Sequence, residues 1–121
     1  MESMSKAKEV VLAYIKALDN QDYNAARSYI DDSLPIKGPG ESFDKPEILL
    51  KILQSSHAKY DVKKAFVDGD DVCLLYDLTS STPPVTVFMC SWYHVKGGKI
   101  SSIWTIFDPR PFASAARQPT Q

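Results

Sequence analysis

The sequence has only two cysteines, no long apolar run and no excess of charge of either sign, and each shortage excludes a class of protein. The two cysteines, Cys73 and Cys90, have the spacing of neither a metal site nor a disulfide framework. We therefore interpret them as free thiols in a reducing cytoplasm. No apolar stretch approaches the roughly 20 residues that cross a membrane, and no cleavage pattern follows the first apolar residues. The sequence therefore predicts a cytoplasmic protein without a membrane partner.

Charge and histidine content narrow the possible partners further. The 14 basic and 15 acidic residues give a formal net charge of -1 at pH 7, which lacks the basic excess typical of nucleic-acid binding. His57 and His94 are the only histidines in the sequence. They lie in different segments, without the repeated spacing of metal ligands. We expect no nucleic-acid partner, no metal site and no cofactor.

The first half of the chain has the periodicity of helices. Apolar side chains recur every three or four residues from Val10 to Leu18 and form one stripe. Turn-forming side chains at residues 19–22 end this helix, and a shorter helix follows. The Gly- and Pro-rich residues 37–40 predict a loop. A third helix begins near Pro46, because proline is tolerated in the first helical turn.

The second half of the chain has the alternation of half-buried strands. From Lys59 onward, apolar and polar residues alternate, and Phe66 is expected on the same side of its strand as Tyr60. Turn sequences at residues 68–70 and 97–98 predict hairpins. Helices followed by antiparallel strands indicate an α+β fold, with the helices packed on one face of a curved sheet.

Chain length and composition fit a single domain. A chain of 121 residues with 44% hydrophobic residues can bury a substantial core without disulfides or metals. We assign the domain to residues 1–112. Residues 113–121 are rich in Ala, Ser, Gln and Pro, and we expect them to be a disordered tail.

Three segments together carry a resemblance to a known superfamily. They are VVLAYIKAL at residues 10–18, FVDGDDV at residues 66–72, and WYHVKGGKI at residues 92–100. The sequence resembles the nuclear transport factor 2-like superfamily, and within it the SnoaL-like group. That group includes polyketide cyclases, ketosteroid isomerases and limonene epoxide hydrolases. The resemblance implies a cone-shaped, cystatin-like fold whose sheet encloses a pocket.

The catalytic residues of these enzymes are only partly present. The resemblance places Tyr14 at the oxyanion-hole tyrosine of the ketosteroid isomerases, but it places Lys37 or Gly38 at the position of their aspartate base. Ser91 stands where they carry a second carboxyl donor, and Thr105 stands where epoxide hydrolases carry the aspartate that activates water. We therefore expect neither reaction.

The remaining catalytic candidates are Tyr14, Lys37 and His57. Among them, His57 is the one whose unperturbed pKa lies near neutrality, so that it could act as a general base. The alternative is that His57 is a surface or capping residue at the end of a helix.

Strand alternation separates an inner face from an outer face. The resemblance orients Ser91 and Thr105 inward, and the alternation then assigns the neighbouring side chains. The predicted ligand-binding residues are Tyr14, Tyr76, Met89, Ser91, Tyr93, Ile103, Thr105 and Phe107. Such a lining suits a small apolar ligand held by a few hydrogen bonds. The alternative is that these side chains fill the core and leave no pocket.

The outer face of the predicted sheet is unusually aromatic. It carries Phe88, Trp92, His94, Trp104 and Ile106, and a large apolar patch usually marks an interface. We expect a homodimer through this face. The alternative is that the C-terminal tail folds back over it.

Three functions remain open on the sequence alone. The first is a small-molecule-binding domain without an assigned reaction, whose partner is an unknown small apolar ligand. The second is an enzyme of isomerase, cyclase or hydratase type acting on a small apolar or polyketide-like substrate. The third is a non-catalytic dimerisation module. The fold alone does not choose between them, since one fold hosts many functions.

Overall fold

The computed structural model describes residues 6–39, 41–43 and 45–117 of the chain. These residues form helices at the N-terminus that pack on a curved sheet, as the sequence predicts. In chain order the elements are α1 (Lys6–Asp19), α2 (Tyr23–Ser28), β1 (Ile36–Gly38), β2 (Glu41–Phe43), α3 (Pro46–Ser56), β3 (Lys59–Asp68), β4 (Asp71–Ser81), β5 (Pro84–Lys96), β6 (Lys99–Ile106) and α4 (Arg110–Arg117). No helix within these described residues is long and apolar enough to cross a membrane.

The sheet is built around an antiparallel meander. Its strand order is β2-β1-β6-β5-β4-β3, so that strands β3 to β6 are neighbours in sequence and in space. The short strand β1 joins the edge of β6 in parallel, with Ile36 opposite Ile103. The loop predicted at residues 37–40 is therefore wrong for Lys37 and Gly38, because their backbone is recruited into the sheet. Residue 40 lies outside the described residues.

Helix α1 lies on the inner face of the sheet. Its stripe of Val11, Tyr14 and Leu18 is buried, which is what the three- and four-residue spacing predicts. The Tyr14 ring packs edge-to-face against Tyr93 of β5, with ring centroids 6.3 Å apart. At the end of the helix, an Asp19 side-chain oxygen accepts a hydrogen bond from the backbone N–H of Tyr60 at 2.8 Å. The helix and the start of β3 are thereby fixed to each other.

Helix α3 forms the side of the cone that faces the concave sheet. Pro46 occupies its first turn, where a proline costs no hydrogen bond. Leu50 and Leu53 are buried beneath it. The helix ends at His57, whose backbone has the left-handed conformation with φ of 53°. This cap places the imidazole at the surface of the domain.

Strand β3 contains an irregularity that the alternation does not reveal. Val62 pairs with Tyr76, but Lys64 pairs with Leu75, so one extra residue is inserted at Lys63. An inserted residue moves every following side chain to the opposite face. The expectation that Phe66 shares a side with Tyr60 is therefore wrong, and Phe66 is exposed on the outer face.

Strands β4 and β5 follow the predicted alternation without interruption. The buried side chains of β4 and β5 are Val72, Leu74, Tyr76, Leu78, Ser80, Val87, Met89, Ser91, Tyr93 and Val95. The residues between them are intermediate or exposed. The burial pattern therefore agrees with the inner and outer faces assigned from the sequence.

The C-terminal segment is partly helical. Ala113 to Arg117 belong to α4, so the prediction of disorder is wrong for these residues, and residues 118–121 lie outside the described part. Phe112 packs edge-to-face on Phe107 with ring centroids 5.6 Å apart. An Asp108 side-chain oxygen accepts a hydrogen bond from the backbone N–H of Arg110 at 3.0 Å. An apolar contact and a local hydrogen-bond acceptor therefore stabilise the start of this helix.

Candidate functional site: an apolar cavity in the cone

A cavity of about 510 Å³ lies between α3, the concave face of the sheet and α4. Its walls are mostly apolar. Helix α3 contributes Leu49, Ile52 and Leu53, the sheet contributes Tyr60, Tyr76, Leu78, Met89, Thr105 and Phe107, and the C-terminal segment contributes Pro109 and Phe112. The size and the apolar lining are those of a small-molecule site.

A chain of three hydroxyl groups lies at the wall of the cavity. The Tyr76 hydroxyl and the Ser91 Oγ are 2.8 Å apart, and the Ser91 Oγ is 2.8 Å from the Thr105 Oγ1. Ser91 is fully buried behind the wall, whereas Tyr76 and Thr105 border the cavity. Burial raises the pKa of Tyr76 to about 12. At neutral pH the chain is therefore uncharged and can donate or accept a hydrogen bond.

The predicted ligand-binding residues divide into two groups. Tyr76, Met89, Thr105 and Phe107 border the cavity. In contrast, Tyr14, Ser91, Tyr93 and Ile103 do not border it. All four are buried in the core, where the Tyr14 ring of α1 packs against Tyr93. The narrow end of the cone is therefore filled, and the open space lies nearer to α3 and α4 than the sequence predicts.

Sequence reasoning also missed residues that border the cavity. The wall from α3 includes Leu49, Ile52 and Leu53, for which the sequence predicted a helix but no place in a pocket. Ile52 remains 46% exposed, so the apolar face of α3 extends beyond the part that contacts the core. An apolar helical face that is wider than its contact with the core is the signal that could have identified this wall of the cavity.

The three catalytic candidates do not converge in the cavity. Lys37 borders it, but the amine lies 5.2 Å from the centre of the Trp104 ring on the outer face. His57 is exposed at the end of α3 and does not border the cavity. Tyr14 lies in the core. Among the described lining residues, none carries a carboxylate or an imidazole, so the bases most often used for proton transfer are absent from this wall.

The hydroxyl of Tyr14 has no hydrogen-bond partner among the described residues, although it is buried. Burial raises the pKa of Tyr14 above its usual value, and the nearby Tyr76 adds to the effect. A buried polar group without a partner costs about 1–3 kcal/mol. We therefore expect Tyr14→Phe to unfold at the same or a higher urea concentration than the wild type. A loss of more than about 1 kcal/mol in urea unfolding would reveal a partner for this hydroxyl and restore Tyr14 as a functional candidate.

The outer face of the sheet is the second notable surface. Trp92 and Trp104 are opposite each other on β5 and β6, and their rings stack with centroids 6.0 Å apart at an interplanar angle of 11°. Both tryptophans are about half exposed, at 49% and 48%, and Ile106 is 65% exposed. The α4 helix borders the cavity instead, so the described part of the tail does not cover this face.

The apolar part of this outer face has a polar edge. An Asp71 side-chain oxygen accepts hydrogen bonds from the Trp92 indole N–H and from the His94 Nδ1, each at 2.8 Å. Beside the tryptophans lies a smaller cleft of about 220 Å³, lined in part by Pro35, Lys37 and Ser102. Within the described residues, no group of three or more His, Cys, Asp or Glu side chains could hold a metal ion.

Comparison with known proteins places this geometry in a family. A family model described as SnoaL-like domain matches residues 11–103. A crystal structure of an NTF2-like protein of unknown function from Cytophaga hutchinsonii is 30% identical, with a TM-score of 0.83 over 93% of this chain and 99% of that chain. No curated protein is similar enough in sequence to count as a relative.

More distant structures share the fold. An LEH-like epoxide hydrolase from M. tuberculosis is 20% identical, with a TM-score of 0.73 over 92% of this chain and 89% of that chain. A putative polyketide cyclase from Sinorhizobium meliloti is 17% identical, with a TM-score of 0.68 over 80% of this chain and 93% of that chain. At this identity the likeness concerns the architecture, and residue roles are not transferred.

Proposed function

Since the chain belongs to the SnoaL-like domain family, we propose that it binds a small, neutral and mostly apolar molecule in the cavity between α3 and the sheet. The observation that carries the proposal is an apolar cavity of about 510 Å³ with a wall of uncharged hydroxyls. The one lysine that borders it among the described residues, Lys37, has its amine 5.2 Å from the centre of the Trp104 ring on the outer face. Burying apolar surface drives binding in such a site. A few hydroxyl groups then orient the ligand.

The hydroxyl chain supports a ligand with one hydrogen-bonding oxygen. Tyr76 and Thr105 border the cavity and share Ser91 as a buried partner. Because each hydroxyl both donates and accepts, the chain can turn a donor toward a carbonyl or an acceptor toward an alcohol. A ligand carboxylate at this hydroxyl chain would be disfavoured, since a buried charge without a cation is costly and the Lys37 amine lies at the Trp104 ring instead.

Binding without proton transfer fits this wall better than isomerase, cyclase or hydratase chemistry. A base must reach its proton at hydrogen-bond distance, and the described lining has no carboxylate or imidazole. The wall could polarise a carbonyl through Tyr76, but polarisation alone leaves the proton in place. Turnover of a β,γ-unsaturated steroid or of limonene epoxide by the purified protein would replace this proposal with an enzymatic one.

The proposal predicts selective binding of neutral probes. Naphthol and naphthoate have the same ring system, but only naphthoate carries a charge at neutral pH. In a fluorescence titration we expect naphthol to bind at least about tenfold more tightly than naphthoate, because the hydroxyl wall holds no cation and the Lys37 amine lies at the Trp104 ring on the outer face. Equal affinity for both probes, or tighter binding of naphthoate, would contradict the proposal.

Two adjacent positions provide matched variants for this titration. Leu78 borders the cavity from β4, whereas Thr79 is exposed on the opposite face of the same strand. Leu78→Trp fills the cavity and should weaken naphthol binding at least about tenfold. Thr79→Trp adds the same ring outside the cavity and should leave the affinity unchanged. Urea unfolding of both variants separates a blocked cavity from an unfolded protein.

We also propose that the outer face of the sheet holds a second copy of the chain. Aromatic side chains occupy its centre and charged side chains its edge, which is the usual arrangement of an interface. The edge includes Asp71 and His94 at one end, and Lys63 and Asp77 at the other. A two-fold axis through such a face would bury both tryptophan pairs.

The cellular location remains part of the proposal. The two free cysteines among the described residues favour a reducing compartment such as the cytoplasm. Fractionation of cells that express the tagged full chain tests this expectation, and recovery in a membrane fraction or an extracellular fraction would contradict it.

A further inference from the structure

Cys73 and Cys90 lie side by side, although 17 residues separate them in sequence. Cys73 is on β4 and Cys90 is on β5, and their sulfur atoms are 3.2 Å apart. Both side chains are partly exposed on the outer face of the sheet. The sequence spacing indicated no pairing, so the antiparallel register alone brings the two thiols together.

The lack of further ligands in the described part of the chain, and not the separation of the sulfur atoms, favours a disulfide over a metal site. A disulfide needs the sulfurs at about 2.05 Å, whereas zinc with bonds of about 2.3 Å in tetrahedral geometry holds two sulfurs nearly 4 Å apart. A zinc site would also need further ligands, and the described residues provide no third one nearby. Two thiols already in contact need only side-chain rotation and a small backbone adjustment to form a bond.

The register determines how stable such a bond can be. Cys73 is directly opposite Trp92, and Cys90 is directly opposite Leu75. The two cysteines are therefore diagonal neighbours, whose α-carbons are farther apart than those of a directly opposite pair. A disulfide between them would be strained, and strained, accessible disulfides are the ones that thiols reduce readily.

We propose that Cys73 and Cys90 form a reversible disulfide, oxidised by exchange with a low-molecular-weight disulfide such as oxidised glutathione. One protein thiolate attacks a sulfur of the reagent, so that a mixed disulfide forms and one reduced thiol leaves. The second protein thiolate then attacks the protein sulfur of the mixed disulfide. The Cys73–Cys90 bond forms, a second reduced thiol leaves, and the two thiol protons pass to solvent and reduced reagent.

The reaction is expected to be slow at neutral pH. Burial raises the pKa of the Cys73 thiol to about 11, and its contact with Cys90 adds to the effect. The thiolate is the reactive species, and the raised pKa leaves only a small fraction of the thiols ionised at neutral pH. Incubation at about pH 9 for hours increases the thiolate fraction without changing the expected product.

Intact-mass spectrometry of the full chain with oxidised glutathione tests the proposal. We expect a loss of about 2 Da, no retained glutathione, and full recovery of two free thiols after treatment with dithiothreitol. In Cys73→Ser and Cys90→Ser the second step is impossible, so each variant should retain one glutathione. Peptide mapping of the oxidised wild type shows the Cys73–Cys90 link even if a variant fails to fold.

Two results would overturn the proposal. One is wild-type protein that retains glutathione or stays fully reduced under conditions in which each single variant reacts. The other is a disulfide between two chains, visible as a dimer in non-reducing electrophoresis. The reaction is run at submicromolar and at high protein concentration. Slower oxidation at the high concentration would show that self-association covers the thiols, whereas an unchanged rate would count against the proposed interface but not against the disulfide.

Discussion

Replacing Trp104 with glutamate should convert the proposed homodimer into a monomer. Trp104 stacks on Trp92 at the centre of the outer face, and a central tryptophan is a common interface hot spot worth at least about 2 kcal/mol. A symmetric dimer carries the substitution twice, so we expect dissociation to become easier by about 4 kcal/mol, or roughly a thousandfold in Kd. The introduced carboxylates would also face each other across the interface.

Light scattering at high micromolar concentration measures this effect. Ile48→Glu is the matched control, because Ile48 is an exposed isoleucine on α3, away from the outer face of the sheet. This variant should keep the assembly of the wild type. A monomeric wild type would contradict the proposed interface directly, and so would a dimer that persists unchanged in Trp104→Glu.

Ser91→Asp should produce a protein whose stability depends strongly on pH. Ser91 is fully buried, and burial raises the pKa of a carboxylic acid by up to about 3–5 units. The hydroxyls of Tyr76 and Thr105 would offset part of this shift by donating to the carboxylate. We expect a shift of at least about 2 units, which corresponds to about 3 kcal/mol.

The direction of this pH dependence follows from which state ionises first. Below about pH 4 the introduced carboxyl is protonated in both the folded and the unfolded chain, so the penalty is absent. As the pH rises, the unfolded chain ionises while the folded one stays protonated, and the free energy of unfolding falls until the folded carboxyl also ionises. Urea unfolding between about pH 4 and pH 8 should therefore show stability decreasing with pH relative to the wild type.

Ser91→Asn is the control for this experiment, because it has similar size without an ionisable group. The loss in the free energy of unfolding caused by Ser91→Asn should stay constant over the same pH range. A Ser91→Asp protein with the pH profile of Ser91→Asn would show that water reaches position 91. In that case the hydroxyl chain would be part of the open cavity and not of the buried wall.

Much of the fold was predictable because its signals are local. The stripe of α1 repeats every three or four residues, and the inner faces of β4 and β5 repeat every two, so a few neighbouring residues reveal each element. The aromatic outer face followed from the same alternation once one residue of β5 had been oriented. Turn sequences such as residues 68–70 then fixed the order of the hairpins.

Other features were not predictable because they depend on pairing between strands. The inserted residue at Lys63 changes the face of Phe66, and only the register with β4 reveals it. The contact between Cys73 and Cys90 arises in the same way, from a diagonal across two strands. Likewise, Lys37 lies in a strand because Ile36 pairs in parallel with Ile103. The proline and glycines that follow Lys37 in sequence had predicted a loop.

The sequence by itself determined the α+β architecture, the absence of the known carboxylate sets at Lys37, Ser91 and Thr105, and the two faces of the central strands. The tertiary structure alone decided where space remains. Tyr14 and Tyr93 fill the narrow end because α1 lies close against β5, and the cavity opens where α3 and α4 stand away from the sheet. Periodicity in the sequence indicates which way a side chain points. A cavity depends instead on the distances between elements that are remote in sequence, and the packing of the whole domain determines those distances.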